Sequence, residues 1–215
     1  MASRCFKQRV QRIALKSRGM LPFSEACERN KAPILDVLRS AFAGRTHVLE
    51  IGSGTGQHAV HFAAHLTHLT WHPTEQLAYL ADLGARVKLE GPPNLRAPTV
   101  LDVNQSVWPL RAVDAIFTAN TLHIMAWAEV LALYRGLDAV LSRGGILCVY
   151  GPFRYNGRYT SDSNQDFDRM LQERDPQSGL RDIHDLTALA AQYGLRLRAD
   201  HDLPANNRLL EFVKD

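Results

Sequence analysis

The chain has 215 residues, 46% of them hydrophobic, with a formal net charge of +3, which is enough for one well-buried domain. No apolar run approaches the ~18 residues that a membrane-spanning helix needs, so no membrane partner is expected. Residues 1–20 hold six basic side chains and no acidic one, and setting those six aside leaves 19 basic against 22 acidic residues, a balance that argues against bulk attraction to nucleic acid.

The basic leader, 1–20, reads as a solvated extension or as an upstream start ahead of Met20, with an Arg-rich targeting peptide as a third reading. Residues 21–215 then form a single domain. Cys5, Cys27 and Cys148 lack metal or redox spacing, which points to a reducing, cytoplasmic setting.

After Pro22, Ser24 is positioned to cap a helix over 25–42, which Pro33 is expected to break or restart. From there strands and helices alternate, the grammar of a mainly parallel sheet with helices on both faces. The pattern predicts strands at 47–51, 68–72, 97–102, 113–118 and 145–150, and helices at 56–66, 75–88 and 127–141. A long polar loop follows at 154–164, then helices near 162–174 and 182–193. Two closing strands, 195–201 and 208–213, are joined by Leu203-Pro204-Ala205-Asn206-Asn207 as a hairpin. The expected fold is α/β, a seven-stranded, mostly parallel sheet with an antiparallel C-terminal strand.

The most specific stretch is Val48-Leu49-Glu50-Ile51-Gly52-Ser53-Gly54-Thr55-Gly56, a buried strand, an acidic residue and three alternating glycines ahead of a helix. Glycines there allow a tight turn and close backbone approach to a ligand. A dinucleotide fingerprint requires its third glycine one residue later. The spacing Glu50-x-Gly52-x-Gly54-x-Gly56 resembles that of S-adenosylmethionine (SAM) methyltransferases instead.

In an open α/β sheet a ligand lies beyond the carboxyl ends of the strands. Glu75, 19 residues beyond Gly56, is placed to accept from ribose hydroxyls. Asp102 is placed to accept from an adenine amino group while Val103 packs the ring. Asn120 and Leu122 run past the methionine end, with Ser53 in the loop. His123 is the candidate for proton transfer or for substrate contact. Tyr155, Asn156 and Asn207 fall in loops at the same edge and are candidate acceptor-side residues, with Tyr155 also a candidate for the chemistry. His58, His61 and His65 share a helix face but read as a polar face, so no metal is assigned.

With those residues in place, the chain from about Pro22 onward resembles a family of class I SAM-dependent methyltransferase-like proteins with bacterial members and the animal methyltransferase-like protein 26. The matching runs include Ala26-Cys27-Glu28-Arg29-Asn30-Lys31, Gly52-Ser53-Gly54-Thr55-Gly56-Gln57-His58, Ala119-Asn120-Thr121-Leu122-His123-Ile124, Tyr150-Gly151-Pro152-Phe153, Ser163-Asn164-Gln165-Asp166-Phe167-Asp168 and Pro204-Ala205-Asn206-Asn207-Arg208. The resemblance implies a Rossmann-like SAM-binding domain, with an N-terminal helix over the site from which Arg29 or Asn30 meets the cofactor carboxylate or the substrate. Glu75 departs from the family's aspartate there. The expected activity is methyl transfer to a small molecule; the alternative is a non-catalytic SAM-binding or partner-binding protein. The sequence leaves the oligomeric state open.

Overall fold

The computed structural model describes residues 21–215, so the expectations for 1–20 lie outside the described residues. The chain runs α1 (Glu25–Ala41), β1 (His47–Ile51), α2 (Gln57–His65), β2 (Thr70–Glu75), α3 (Leu80–Glu90), β3 (Thr99–Val100), β4 (Val113–Ala119), α4 (Trp127–Val140) and β5 (Leu141–Gly151). There follow β6 (Phe153–Tyr155), β7 (Arg158–Tyr159), α5 (Asp162–Arg174), β8 (Arg181–Asp182), α6 (Ile183–Gln192), β9 (Leu195–Leu203) and β10 (Asn207–Lys214).

Seven strands form one sheet in the order β3-β2-β1-β4-β5-β10-β9. The first five are mutually parallel, and β10 is antiparallel to both β5 and β9. Because strand side chains alternate, Val48, Trp71, Phe117 and Cys148 meet Ile34, Leu38 and Phe62 of α1 and α2 on one face. Leu49, Ile116, Leu147 and Phe212 meet Val130, Leu133 and Leu186 of α4 and α6 on the other. Both faces are therefore covered, and the carboxyl ends of the parallel strands collect at one edge.

Several expectations are corrected. Helix α1 passes through Pro33 without a break; burial of Ile34, Leu35, Leu38 and Ala41 along one stripe outweighs the ~3 kcal/mol that an interior proline costs. Strand β2 extends through Pro73 to Glu75, and α3 starts at Leu80, so Glu75 ends a strand rather than opening a helix. Strand β3 shrinks to two residues. Strand β5 begins directly after α4 at Leu141, and its register shifts between Val113↔Leu141 and Ala115↔Ile146, where Gly144 turns at φ 71°. The expected loop at 154–164 instead contributes β6 and β7, which with β8 make a second sheet in the order β7-β6-β8.

Helix α4 carries an interior glycine, which costs ~1 kcal/mol relative to alanine. A Cβ on Gly136 would lie 2.0 Å from Cζ2 of Trp108, so the bare helix backbone is the surface on which that indole rests. Gly136→Ala is expected to lose about 1–2 kcal/mol net, because overpacking exceeds the gain in helix propensity. Urea unfolding reads this directly, and an unchanged midpoint would show that the indole moves aside freely.

Candidate functional site

The first strand delivers Glu50 and the glycine loop to the carboxyl edge of the sheet. Gly52, Gly54 and Gly56 all take positive φ, at 72°, 55° and 77°, a region that side chains with a Cβ enter at a cost. At Gly52 a Cβ would fall 3.1 Å from Thr121 Oγ1, so its bareness lets the loop touch the end of β4. At Gly54 nothing lies within 4 Å of the Cβ position. The loop therefore leaves an open cradle at its centre.

The cradle is held from below and from both sides. Ser53 N–H donates to Thr74 O at 3.0 Å, and Thr118 Oγ1 donates to Ile51 O at 2.9 Å. Glu75 accepts from Gly54 N–H at 2.7 Å and from Gln76 N–H at 2.7 Å. The carboxylate expected at the tip of β2 is thus fixed against the middle glycine. Glu50 lies beneath the loop, 2% exposed, and accepts from Trp71 Nε1 at 2.9 Å. Burial raises its pKa to about 7, against the hydrogen bond from Trp71, with the Glu75 charge adding to the rise.

Helix α1 is stitched to the start of α2. Gln57 accepts from Ser24 N–H at 2.6 Å and donates to Glu28 at 2.7 Å. His58 Nε2 meets Asn30 Oδ1 at 2.6 Å, and burial pushes the His58 pKa down to about 4. Burial raises the pKa of the nearby Tyr150 hydroxyl and Asn30 opposes that rise. Arg29 faces the other way: its side chain is 73% exposed and pairs with Glu25 at 3.3 Å. Of the two residues expected over the site, Asn30 is the one turned toward the start of α2. Arg86 of α3, which the sequence reading passed over, donates to Thr55 O at 2.6 Å and Pro22 O at 2.7 Å.

At the end of β3, Asp102 Oδ1 accepts from Asn104 N–H at 2.9 Å and from its side-chain amide at 3.1 Å. That oxygen serves the local turn, while Val103 is buried beside it. Asn120 turns the chain at φ 56°, its N–H donating to Tyr150 O at 2.9 Å. Leu122 is buried and its carbonyl accepts from Arg181 Nε at 3.0 Å.

His123 follows at once. It is 7% exposed, stands edge-on to Phe167 with ring centroids 5.3 Å apart, and its Nδ1 lies 3.7 Å from a Cβ position on Gly151. Burial and then the Arg181 guanidinium lower its pKa to about 4, with Asp168 opposing. The imidazole is therefore neutral near pH 7, with a lone pair available to a donor.

The other acceptor-side candidates are engaged elsewhere. Tyr155 donates its hydroxyl to Asp200 at 2.7 Å; burial and that carboxylate raise its pKa, so Tyr155 suits positioning better than proton abstraction. Asn156 adopts φ 51° and spends its N–H on Asp182. Asn207 bonds Pro204 O and Ala205 O within the hairpin turn, which does lie at the expected edge because Arg208 pairs with Gly151. Asp168 and Arg181, whose charges act on His123, are not among the sequence candidates, although the run containing Asp168 is among the matching motifs. The His61 and His65 rings lie 4.3 Å apart, tilted by 43°, and no group of three or more metal-ligating side chains occurs among the described residues.

The sheet order and the glycine loop together define the class I methyltransferase fold. An O-methyltransferase family protein from Burkholderia thailandensis superposes with a TM-score of 0.77 at 15% identity, covering 89% of this chain and 58% of that one. Human N-acetylserotonin methyltransferase in complex with SAM gives 0.74 at 15% identity, covering 88% and 53%. An O-methyltransferase family 2 protein from Planctomyces limnophilus, in complex with apigenin, gives 0.70 at 14% identity, covering 80% and 51%. The chain spans little more than half the length of these proteins. It belongs to the DUF938 family, described as a protein of unknown function, whose profile matches residues 21–214.

Proposed function

We propose that this protein is a SAM-dependent methyltransferase acting on a small-molecule acceptor. The observation that carries this reading is the open cradle at Gly54, whose N–H is bonded to the Glu75 carboxylate at the tip of β2. A ligand with vicinal hydroxyls and a cationic, amino-acid-like end suits that pairing of carboxylate and exposed backbone. The residues that would hold it are Glu75, Gly52, Ser53 and Gly54, with Glu50 beneath, Asn30, Asn120 and Leu122 at the methionine end, and Asp102 and Val103 around the adenine. When bound, SAM supplies an activated methyl group on a good leaving group.

The chain's own work is to align the acceptor, exclude water and handle one proton. His123, neutral and buried, accepts a hydrogen bond from the nucleophile and then its proton. Its low basicity suits a modest base contribution rather than a dominant one. The near-neutral balance of 21–215, and neighbours one of which is in complex with apigenin and another named for N-acetylserotonin, favour a metabolite over nucleic acid. No helix among the described residues is long and apolar enough to cross a membrane; a cytoplasmic setting belongs to the same proposal.

Calorimetric titration tests the donor. Binding of SAM and S-adenosylhomocysteine (SAH) with no response to NADH is expected; the reverse would overturn the assignment. Turnover of methyl-labelled SAM with a metabolite extract then separates the enzyme from a non-catalytic binder. His123→Ala is expected to lower turnover about 100-fold with SAH affinity unchanged. A parallel fall in both would place His123 in the cofactor wall.

A further inference from the structure

The crossovers of the large sheet are uneven. The chain passes from β1 to β2, from β2 to β3 and from β4 to β5 through a helix each time, α2, α3 and α4, the usual way to join parallel strands. From β3 to β4 it crosses β2 and β1, yet residues 101–112 contain no helix. Leu101, Val103 and Trp108 of that segment cover the sheet instead, in one core with Leu133 and Leu137 of α4. Between the segment and α4 a cleft of about 210 Å³ stays open. Val103 stands at its end nearest the carboxyl edge. Val140 stands at the other end, just before Leu141 pairs with Val113 at the start of β4. Neither His123 nor the glycine loop lines it.

Two groups in the lining have bonding capacity that the protein does not use. Trp108 is 7% exposed, and its indole Nε1–H is buried with no acceptor among the described residues, a costly state for a polar group. The carbon bonded to that nitrogen, Cε2, lies 2.2 Å from a Cβ position on Gly136, so the N–H sits against the bare stretch of α4 that also lines the cleft. Arg135, the neighbour of Gly136, is exposed and carries the one charge of the lining. It pairs with no carboxylate among the described residues. Asp138, one turn further along α4, is taken by Lys214 at 3.0 Å, and Asp102 Oδ1 by Asn104 of the opposite rim. Ala132 and Ala139 leave the floor between them apolar and shallow.

We propose that this cleft is a second small-molecule site, for a flat aromatic monocarboxylate whose ring lies along Trp108 and the two alanines and whose carboxylate is received by Arg135. A slight turn of the indole on Gly136 brings its N–H to the same carboxylate. The site goes beyond methyl transfer and stands without it. A neutral ligand leaves the guanidinium unmet, whereas a carboxylate gains a charge-assisted hydrogen bond with no acidic group in the lining to oppose it. A planar ring gains stacking on the indole.

Naphthoate and naphthylmethanol form a matched probe pair, the same ring with and without the charge, for calorimetric titration of the full chain. Naphthoate is expected to bind about 10-fold more tightly. Arg135→Gln should erase that preference and Arg135→Lys should restore part of it. Ala139→Phe, at an exposed position, should fill the cleft and block both probes with thermal unfolding unchanged. The chain has three tryptophans, and NMR of the nitrogen-labelled protein reports each indole N–H. The Trp108 signal, identified by its loss in Trp108→Phe, should move on adding naphthoate while that of Trp71 stays. Equal affinity for the two probes, no binding of naphthoate at millimolar concentration, an unchanged affinity in Arg135→Gln or a Trp108 signal that stays in place would each overturn the proposal. Gly54→Leu should bind naphthoate as the unmodified protein does; loss of binding there would put the probe in the glycine cradle and overturn it as well.

Discussion

Gly54→Leu is expected to abolish measurable donor binding while the fold survives. The position adopts φ 55° with nothing near its missing Cβ, so a leucine side chain projects into the cradle rather than into the core. The backbone cost of a residue with a Cβ in the left-handed region is about 1–2 kcal/mol, well within the stability of an ordinary domain. The binding cost is larger, because the side chain occupies ligand space and disturbs the N–H that meets Glu75. A loss of at least 100-fold in SAH affinity, about 2.7 kcal/mol, is expected by calorimetry, with cooperative thermal unfolding retained. Unchanged affinity would move the cofactor away from this loop. Gly56→Leu is the contrasting variant: a Cβ there would fall 2.8 Å from Leu83 Cδ1, so it should damage folding and binding together.

Glu50→Gln is expected to stabilise the protein in alkaline solution and to do almost nothing in acid. Burial raises the Glu50 pKa from 4.5 to about 7, so the folded state retains a proton that the unfolded chain has released. Stability from this group is complete below pH 4.5 and drains away as the pH rises through 7. Glutamine stays neutral throughout and still offers an oxygen to Trp71 Nε1. Urea unfolding at pH 8 should therefore favour Glu50→Gln by about 3 kcal/mol, and the difference should vanish near pH 4. A difference independent of pH would show that Glu50 does not titrate in this range. The same experiment run with SAH tests whether a ligand shifts the ionisation of a carboxyl sitting directly under the loop.

The first half of the sheet and its loop were legible in the sequence. Strand β1, the glycine loop and the carboxylate at Glu75 are local features, each written in a few consecutive residues. Strand β2 was cut short because Pro73 reads as punctuation, whereas in the fold it is simply a paired position opposite Glu50 that contributes no donor. The second sheet was invisible because β7 and β8 contain two residues each, too few for any alternation to register. Helix α1 shows the opposite case. Asn30, Ile34 and Leu38 repeat every four residues along the inward stripe, so the inward placement of Asn30 and the outward placement of Arg29 are legible from helical phase alone. The surroundings of His123 and Tyr155 resisted reading because their contacts join distant segments: Asn164 to Asn206, Phe167 to His123, and Tyr155 to Asp200.

Strand β10 lies between β5 and β9 and includes three wholly buried side chains, Leu209, Leu210 and Phe212. A late stretch of chain thus enters the interior of the sheet instead of finishing its border. The glycine loop and Glu75 can meet once the first hundred residues have emerged from a ribosome. The packing of α5 opposite His123 cannot be completed until the last hairpin exists to receive Asn164. During synthesis the exposed border of β5 waits for a partner, the kind of unpaired edge on which nascent chains aggregate. The order of manufacture therefore places assembly of the glycine loop before completion of the surroundings of His123, with closure of the sheet as the step that separates them.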